Sequence, residues 1–254
     1  MDRPMPPLAA LIFDVDGTLA ETEEAHRAAF NQAFAAFGLP WSWDAALYRV
    51  LLRVAGGKER ITAFARQHDP ERLADGAFPE LVAALHRHKT ALYAENVAAG
   101  TVPLRPGIRR IIGEARGESL RLAVATTTSR ANVLALLDGA TGGAGHLWFE
   151  TLACGEDAAV KKPDPGVYLE VLRRLDMPAA ACLAVEDSAN GVRAARAAGI
   201  PVVATRSLYT AEDDLDGALA IFPDLAEVSL AELRRLHAGA AAHGGRPRTG
   251  DQPR

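Results

Sequence analysis

Residues 11–24, LIFDVDGTLAETEE, carry an apolar run straight into two carboxylates and a turn. Leu11, Ile12 and Phe13 form the run, Asp14 and Asp16 follow, and Gly17 and Thr18 close the turn. Side chains two residues apart on a strand share a face, so an extended geometry past Phe13 sends Asp14 and Asp16 toward one site at the strand's carboxyl end. Open α/β sheets bind their ligands there. Two carboxylates so placed repel unless a cation or a shared proton intervenes, which predicts a hard divalent metal or an acid kept protonated. An isolated DxD also suits a strand that merely ends in an acidic, solvated turn, and the rest of the chain has to decide between the two.

Residues 8–13 form one short apolar run, the pattern of a strand buried on both faces of a parallel sheet. Downstream the pattern turns helical. Thr22 is the expected N-cap of a helix with Glu21, Glu23 and Glu24 around its first turn and Phe30, Phe34 and Phe37 at helical spacing before Gly38. Asp44 is expected to start a second helix, with Leu47, Val50, Leu51 and Val54 on one face and Gly56-Gly57 as its stop. Residues 58–68 and 79–95 also read as helices. The roughly 80 residues from 21 to 100 contain no strand pattern and are too long for an ordinary βα connection, which predicts a separate inserted α-helical domain.

From Leu104 helix and strand alternate. Strands are expected at 120–125, 147–153, 182–185, 201–204 and 218–222, with helices begun by Pro106, over 131–137, after Pro163 and around Val192, Ala195 and Ala198. This is the pattern of right-handed βαβ units around a parallel sheet, an α/β core made of residues 1–20 and 101–237. Residues 238–254, rich in Gly, Ala, Pro and Arg, are expected to be a disordered tail.

Composition narrows the function. A net charge of -4 over 254 residues gives no basic field for nucleic acid or an anionic membrane, so a small substrate must be attracted locally. Cys154 and Cys182 are too few for a disulfide framework, match no zinc spacing and read as reduced core residues. Prolines occupy the amino terminus where a signal peptide needs its apolar core, and no run of 18 apolar residues occurs, so a cytoplasmic protein is expected; it is also expected to be a monomer.

Four polar clusters follow apolar strands or lie in the loops between them: Asp14/Asp16, Thr126, Lys162 and Glu186/Asp187. Strands of one parallel sheet present their carboxyl ends along one edge, so these distant residues can meet there. Asp14, Asp187 and Glu186 offer oxygen ligands suited to Mg²⁺, while Thr126 can donate a hydroxyl hydrogen bond and Lys162 a positive charge to phosphate oxygens. Lys161 competes with Lys162 for that role. Taken together the set describes phosphoryl transfer.

DVDGT at 14–18, the Thr126 strand end, Lys162-Pro163 and EDS at 186–188 resemble the four motifs of the haloacid dehalogenase superfamily, over nearly the whole chain to about residue 230. The resemblance implies a Rossmann-like core with a mobile helical cap and Mg²⁺-dependent phosphotransfer with Asp14 as nucleophile and Asp16 as general acid and base. Thr126 and Lys162 then hold the phosphoryl group, with Thr127 beside them on the substrate. Asp187 binds the metal together with Asp14, Glu186 and the Asp16 carbonyl. Asp16 must be neutral in the first half-reaction, and its proximity to another carboxylate is expected to raise its pKa to that end.

In the cap, Glu21 and His26 lie near the hinge, and the loop with Gly56, Gly57, Lys58 and Arg60 could wrap a second anionic group. Arg105, at the return to the core, is a further substrate candidate. The fuller pattern, FDVDGTLAETEEAHRAAFN with WSWD, GGKERI, LRPGI and AVATTTS, resembles the CbbY family. That family dephosphorylates xylulose-1,5-bisphosphate to xylulose 5-phosphate, which protects ribulose-bisphosphate carboxylase from a misfire product. The resemblance implies that the GGKxR loop reads the distal phosphate. A β-phosphoglucomutase-like isomerase, a phosphatase of another small sugar phosphate and a silent sugar-phosphate binder remain alternatives.

Overall fold

The computed structural model describes residues 6–240. Its strands β1 (Ala10–Phe13), β2 (Arg121–Ala125), β3 (Thr151–Ala153), β4 (Cys182–Glu186), β5 (Val202–Thr205) and β6 (Ile221–Phe222) form one parallel sheet in the order β3-β2-β1-β4-β5-β6. This is the doubly wound α/β architecture expected from the alternation, with β1 central and the strand order reversing beside it. Each strand is an apolar run because helices cover both faces. Leu11, Phe13, Val124 and Val185 point to one face, and Ala10, Ile12, Ala123 and Ala184 to the other.

Ten helices among the described residues complete the fold. Between β1 and β2 the chain forms α1 (Glu23–Ala36), α2 (Ala45–Leu51), α3 (Gly57–His68), α4 (Pro70–Leu73) and α5 (Phe78–Ala98), the expected helical insert. Its core is aromatic: Phe34 meets Trp43 edge to face at 4.8 Å between centroids, and Tyr48, Phe64 and Leu85 pack around them. Beyond it α6 (Ile108–Gly117), α7 (Arg130–Thr141) and α10 (Leu230–Gly239) cover the first sheet face, and α8 (Gly166–Leu175) and α9 (Ala189–Ala197) the second. No helix among the described residues is long and apolar enough to cross a membrane.

Several local expectations change. The helix α2 ends at Leu51, and Gly56-Gly57 does not stop it but begins α3, with Gly56 as N-cap at φ 94°, a conformation that favours glycine. Val50 is 56% exposed and so leaves the apolar face assigned to it, while Phe37, 38% exposed, lies just past the end of α1. Only Thr151–Ala153 of the strand expected at 147–153 joins the sheet. Before it Gly145–Trp148 makes a 3-10 turn, pinned where the backbone N–H and ring Nδ1 of His146 meet Asp138 Oδ1 at 3.3 and 2.7 Å. Of the tail expected over 238–254, residues 238 and 239 belong to α10, and residues 241–254 lie outside the described residues.

Candidate active site

Parallel pairing carries the strand ends to one edge. The Asp14 N–H donates to Val185 O at 3.0 Å and the Thr126 N–H to Ala153 O at 3.0 Å, so both residues extend the ladders of their strands before the chain turns. Glu186 ends β4 and Asp187 follows it. Gly17 turns the first loop at φ 82°, where a Cβ would stand 2.1 Å from Asp187 Oδ2; only glycine lets this loop pass beside the carboxylate.

At the centre is Lys162, buried, with each of its three N–H donors engaged: Asp14 Oδ1 at 2.6 Å, Glu186 Oε1 at 2.6 Å and Ala125 O at 2.8 Å. Burial disfavours its charge, yet the two carboxylates outweigh that and hold its amine above the ordinary lysine range. Lys161 is turned away, its Nζ bonding the carbonyls of Gly155 and Ala158, so of the two lysines it is Lys162 that meets Asp14 and Glu186.

Asp14, Glu186 and Asp187 each offer a carboxylate oxygen, all within 4.8 Å of one another. Burial pushes Asp14 well above the usual carboxylate range; Lys162 pulls it down, and Glu186, Asp187 and Asp16 push it further up. Burial and then Glu186 push Asp187 up to about 8, although the hydroxyls of Thr210 and Ser207 donate to its Oδ2 at 2.8 and 2.9 Å. A crowded, all-oxygen set whose charges oppose one another is what a hard divalent cation relieves, so the residues present fit Mg²⁺.

The carboxylate of Asp16 stands apart from that set. Its Oδ1 accepts from the Thr22 hydroxyl at 2.5 Å and faces His26 Nε2 at 3.0 Å, while Lys89 Nζ lies 2.6 Å from His26 Nδ1. With Lys89 donating to Nδ1, the ring proton sits on Nε2 and is given to Asp16. Burial raises the Asp16 pKa, but His26, Thr22 and Lys89 together lower it to about 2. This corrects the expectation of a raised value: Asp14 faces the other carboxylates, whereas Asp16 faces donors. Thr22 begins α1 without capping it, because its hydroxyl is given to Asp16.

These groups line one cavity of about 560 Å³ between the strand ends and the insert. Asp14, Asp16, Thr126, Thr127, Lys162 and Asp187 line it from the core side, and His26, Gly57 and Arg60 from the helical side. The Thr126 hydroxyl accepts from the Thr128 N–H at 3.2 Å and keeps its own proton to donate. Arg60 is buried, its Nε on Leu51 O at 3.2 Å and Nη1 on the Tyr48 hydroxyl at 3.1 Å.

Three sequence candidates fall elsewhere. Lys58 is exposed on the first turn of α3 and does not line the cavity. Arg105 is buried at the hinge, bonding the carbonyls of Gly17, Arg206 and Pro223 and the Thr205 hydroxyl, and its Nε lies 3.1 Å from Glu21 Oε1. Arg105 and Glu21 therefore brace the two chain crossings between core and insert, and both line a second cavity away from Asp14.

Sequence reading missed Glu23, Lys89, His86, Arg53 and Arg193, all of which line the main cavity, and Tyr168 behind it. Two of these had a signal. Lys89 interrupts the buried stripe Val82, Leu85, Tyr93, Val97 of α5, and Tyr168 lies on the buried stripe of α8 directly after the Lys162-Pro163 motif. A lysine in an apolar stripe needs a partner, and here it is His26.

Comparison with known proteins shows the family. The haloacid dehalogenase-like hydrolase family model matches residues 8–199. Protein CbbY of Cupriavidus necator is 52% identical over 93% of this chain and 92% of its own. A solved CbbY variant from Rhodobacter sphaeroides, in complex with xylulose-1,5-bisphosphate, superposes with a TM-score of 0.83 at 45% identity, covering 89% of this chain and 99% of that one. A β-phosphoglucomutase from Clostridium difficile, at 16% identity and a TM-score of 0.74 over 92% of this chain and 99% of that one, shares the fold.

Proposed function

The chain belongs to the haloacid dehalogenase-like hydrolases and is a phosphatase of that family, and from that premise we propose that it removes the 1-phosphate of xylulose-1,5-bisphosphate through a phosphoaspartate on Asp14, leaving xylulose 5-phosphate. The observation that carries the chemistry is the buried pairing of Asp14 with Lys162 at the strand ends, with Asp16 held separately on the same cavity. The sugar rests on the likeness to CbbY. It is supported by cations at the cavity's rim: Arg53 from the insert and Arg193 from α9, besides the buried Arg60.

Asp14, Asp187 and Glu186, with the Asp16 carbonyl, would hold Mg²⁺, which supplies charge neutralisation at the transferring phosphoryl group. Lys162 gives up one of its three hydrogen bonds to a phosphoryl oxygen, and Thr126 donates its free hydroxyl proton to another. The Asp14 carboxylate then attacks phosphorus in line, forming an acyl phosphate as the P–O bond to the sugar breaks. Asp16 protonates the departing oxygen and afterwards takes a proton from the water that attacks the phosphoaspartate. Without substrate Asp16 is a base, since its neighbours are donors. A phosphoryl dianion placed beside it raises its proton affinity, so that it takes up a proton from solvent as substrate binds and holds it for the departing oxygen.

The test is phosphate release with Mg²⁺ from xylulose-1,5-bisphosphate, ribulose-1,5-bisphosphate, fructose-1,6-bisphosphate and β-glucose 1-phosphate, compared as kcat/KM. A preference of about tenfold or more for xylulose-1,5-bisphosphate is expected. Equal rates across the panel would remove the sugar assignment, and conversion of β-glucose 1-phosphate to glucose 6-phosphate would replace hydrolase by mutase.

A further inference from the structure

We propose that Tyr168 is a positioning residue for the hydrolysis, acting through Glu186 to keep Lys162 centred between its two carboxylates. Tyr168 is fully buried on α8, packed with Val167, Val171 and Leu175 against the alanine-rich sheet face. A phenol in such a place needs a partner, and its hydroxyl donates to Glu186 Oε1 at 2.6 Å. That same oxygen accepts from Lys162 Nζ at 2.6 Å. The ring also lies under the amine, with Nζ 5.0 Å from the ring centroid. One side chain therefore touches both members of the Lys162–Glu186 pair, and neither substrate cavity nor solvent reaches it.

This arrangement does more than satisfy a buried hydroxyl. Lys162 has three acceptors and no fourth donor, so a phosphoryl oxygen can be bound only if one existing bond is released. Which one yields depends on how strongly each acceptor holds. By donating a charge-assisted hydrogen bond to Glu186 Oε1, Tyr168 shares that oxygen's charge with Lys162 and fixes the carboxylate's orientation. Glu186 then anchors the amine without drawing it away from Asp14. Take the hydroxyl away, and the amine becomes the oxygen's principal donor; Lys162 shifts toward Glu186 and away from the nucleophile.

The proposal rests on the reading of Asp14 as nucleophile, and Tyr168→Phe tests it, since this keeps the ring, its packing and its contact with the amine. In the full chain with Mg²⁺, kcat is expected to fall about tenfold with KM changed less than about twofold, because the lost interaction acts on the reacting groups. In a Glu186→Gln background the same substitution should have less than about a twofold further effect, since the hydroxyl works through that carboxylate. Calorimetric titration of Mg²⁺ alone supplies a readout independent of turnover. Both Tyr168→Phe and Glu186→Gln are expected to weaken binding by about threefold or more, because Glu186 is then misoriented or uncharged.

A loss of turnover that simply adds to that of Glu186→Gln, or a drop in melting temperature with kcat and Mg²⁺ affinity unchanged, would overturn the proposal and make the hydroxyl a packing feature. If the parent protein releases no phosphate from any substrate, the nucleophile reading fails first. An active parent with an unaffected Tyr168→Phe variant would sink the positioning role alone.

Discussion

Where the sheet ends, each charged side chain is tied to another: Lys162 to Asp14 and Glu186, Glu186 to Tyr168, and Asp187 to Ser207 and Thr210. Across the same cavity Arg53, on the helical insert, is exposed, and its guanidinium makes no hydrogen bond or ion pair among the described residues; only its backbone is held, the N–H donating to Val50 O at 3.3 Å and the carbonyl accepting from the Asn190 amide at 3.2 Å. The first arrangement is preorganised, so little has to move when charge develops on a phosphoryl group. The second leaves an open donor for whatever enters. The strand ends thus suit the chemistry, and the insert suits recognition of the substrate.

The largest effect expected from this contrast is at Asp14. Asp14→Asn should lower turnover by about 10⁴-fold or more and abolish the phosphoenzyme seen on rapid acid quench with ³²P-labelled substrate. Its melting temperature should change little, because asparagine keeps the side-chain volume and an Oδ1 acceptor for Lys162. Normal turnover by this variant would break the assignment of the core edge to catalysis. Asp16→Asn comes next, with kcat reduced about 10²- to 10⁴-fold while substrate still binds, measured by turnover alongside an equilibrium binding assay.

On the insert, Lys89 is the buried amine that supports Asp16 through His26. Burial lowers its pKa from 10.5 to about 7, against the pull of Asp16 and with a further push from Arg60. Between those values the unfolded chain carries a proton that the folded chain has released. Stability therefore rises with pH from about 7 to about 10.5, by up to about 1.4 kcal/mol per pH unit from this group. Lys89→Met should flatten that slope in denaturant unfolding followed at several pH values. An unchanged slope would show that the amine stays protonated in the fold.

How far the molecule could be read in advance follows the same division. Strand ends of a parallel sheet must share an edge, so Asp14, Thr126, Lys162 and Glu186/Asp187 could be gathered from topology before any coordinates existed. Helix faces give no such guarantee across 80 or so inserted residues, because what a helical residue meets depends on how the helices cross. Gly56-Gly57 was legible as a break but not as the start of α3, and that difference moves Lys58 out of the cavity while leaving Arg60 in its wall. Arg105 and Glu21 looked like substrate residues because they flank the hinge; the hinge itself uses them. The protonation of Asp16 departs from the sequence expectation for a related reason. Sequence spacing shows the carboxylate two residues away but not Thr22, His26 and Lys89, which the insert folds over it.

The smallest expected effect separates two cationic residues of the insert, Lys58, to which the sequence points, and Arg53, which lines the cavity. Lys58 belongs to the GGKER loop, yet it projects from the first turn of α3 outside the cavity, whereas Arg53, three residues before Gly56, lines it together with Arg193. A guanidinium presents a fork of donors that matches phosphate oxygens, and two from opposite sides of the mouth can bracket a second phosphate. Arg53→Ala should lower kcat/KM for xylulose-1,5-bisphosphate about tenfold, mostly through KM, since the distal phosphate is bound alike in the ground and transition states. Lys58→Ala should change it by less than about twofold, as expected for a solvated lysine whose interaction is screened. The reverse ranking would mean that substrate draws α3 inward on binding and carries Lys58 into the cavity. The division between a preorganised core edge and a receptive insert would then extend to the position of the helix itself.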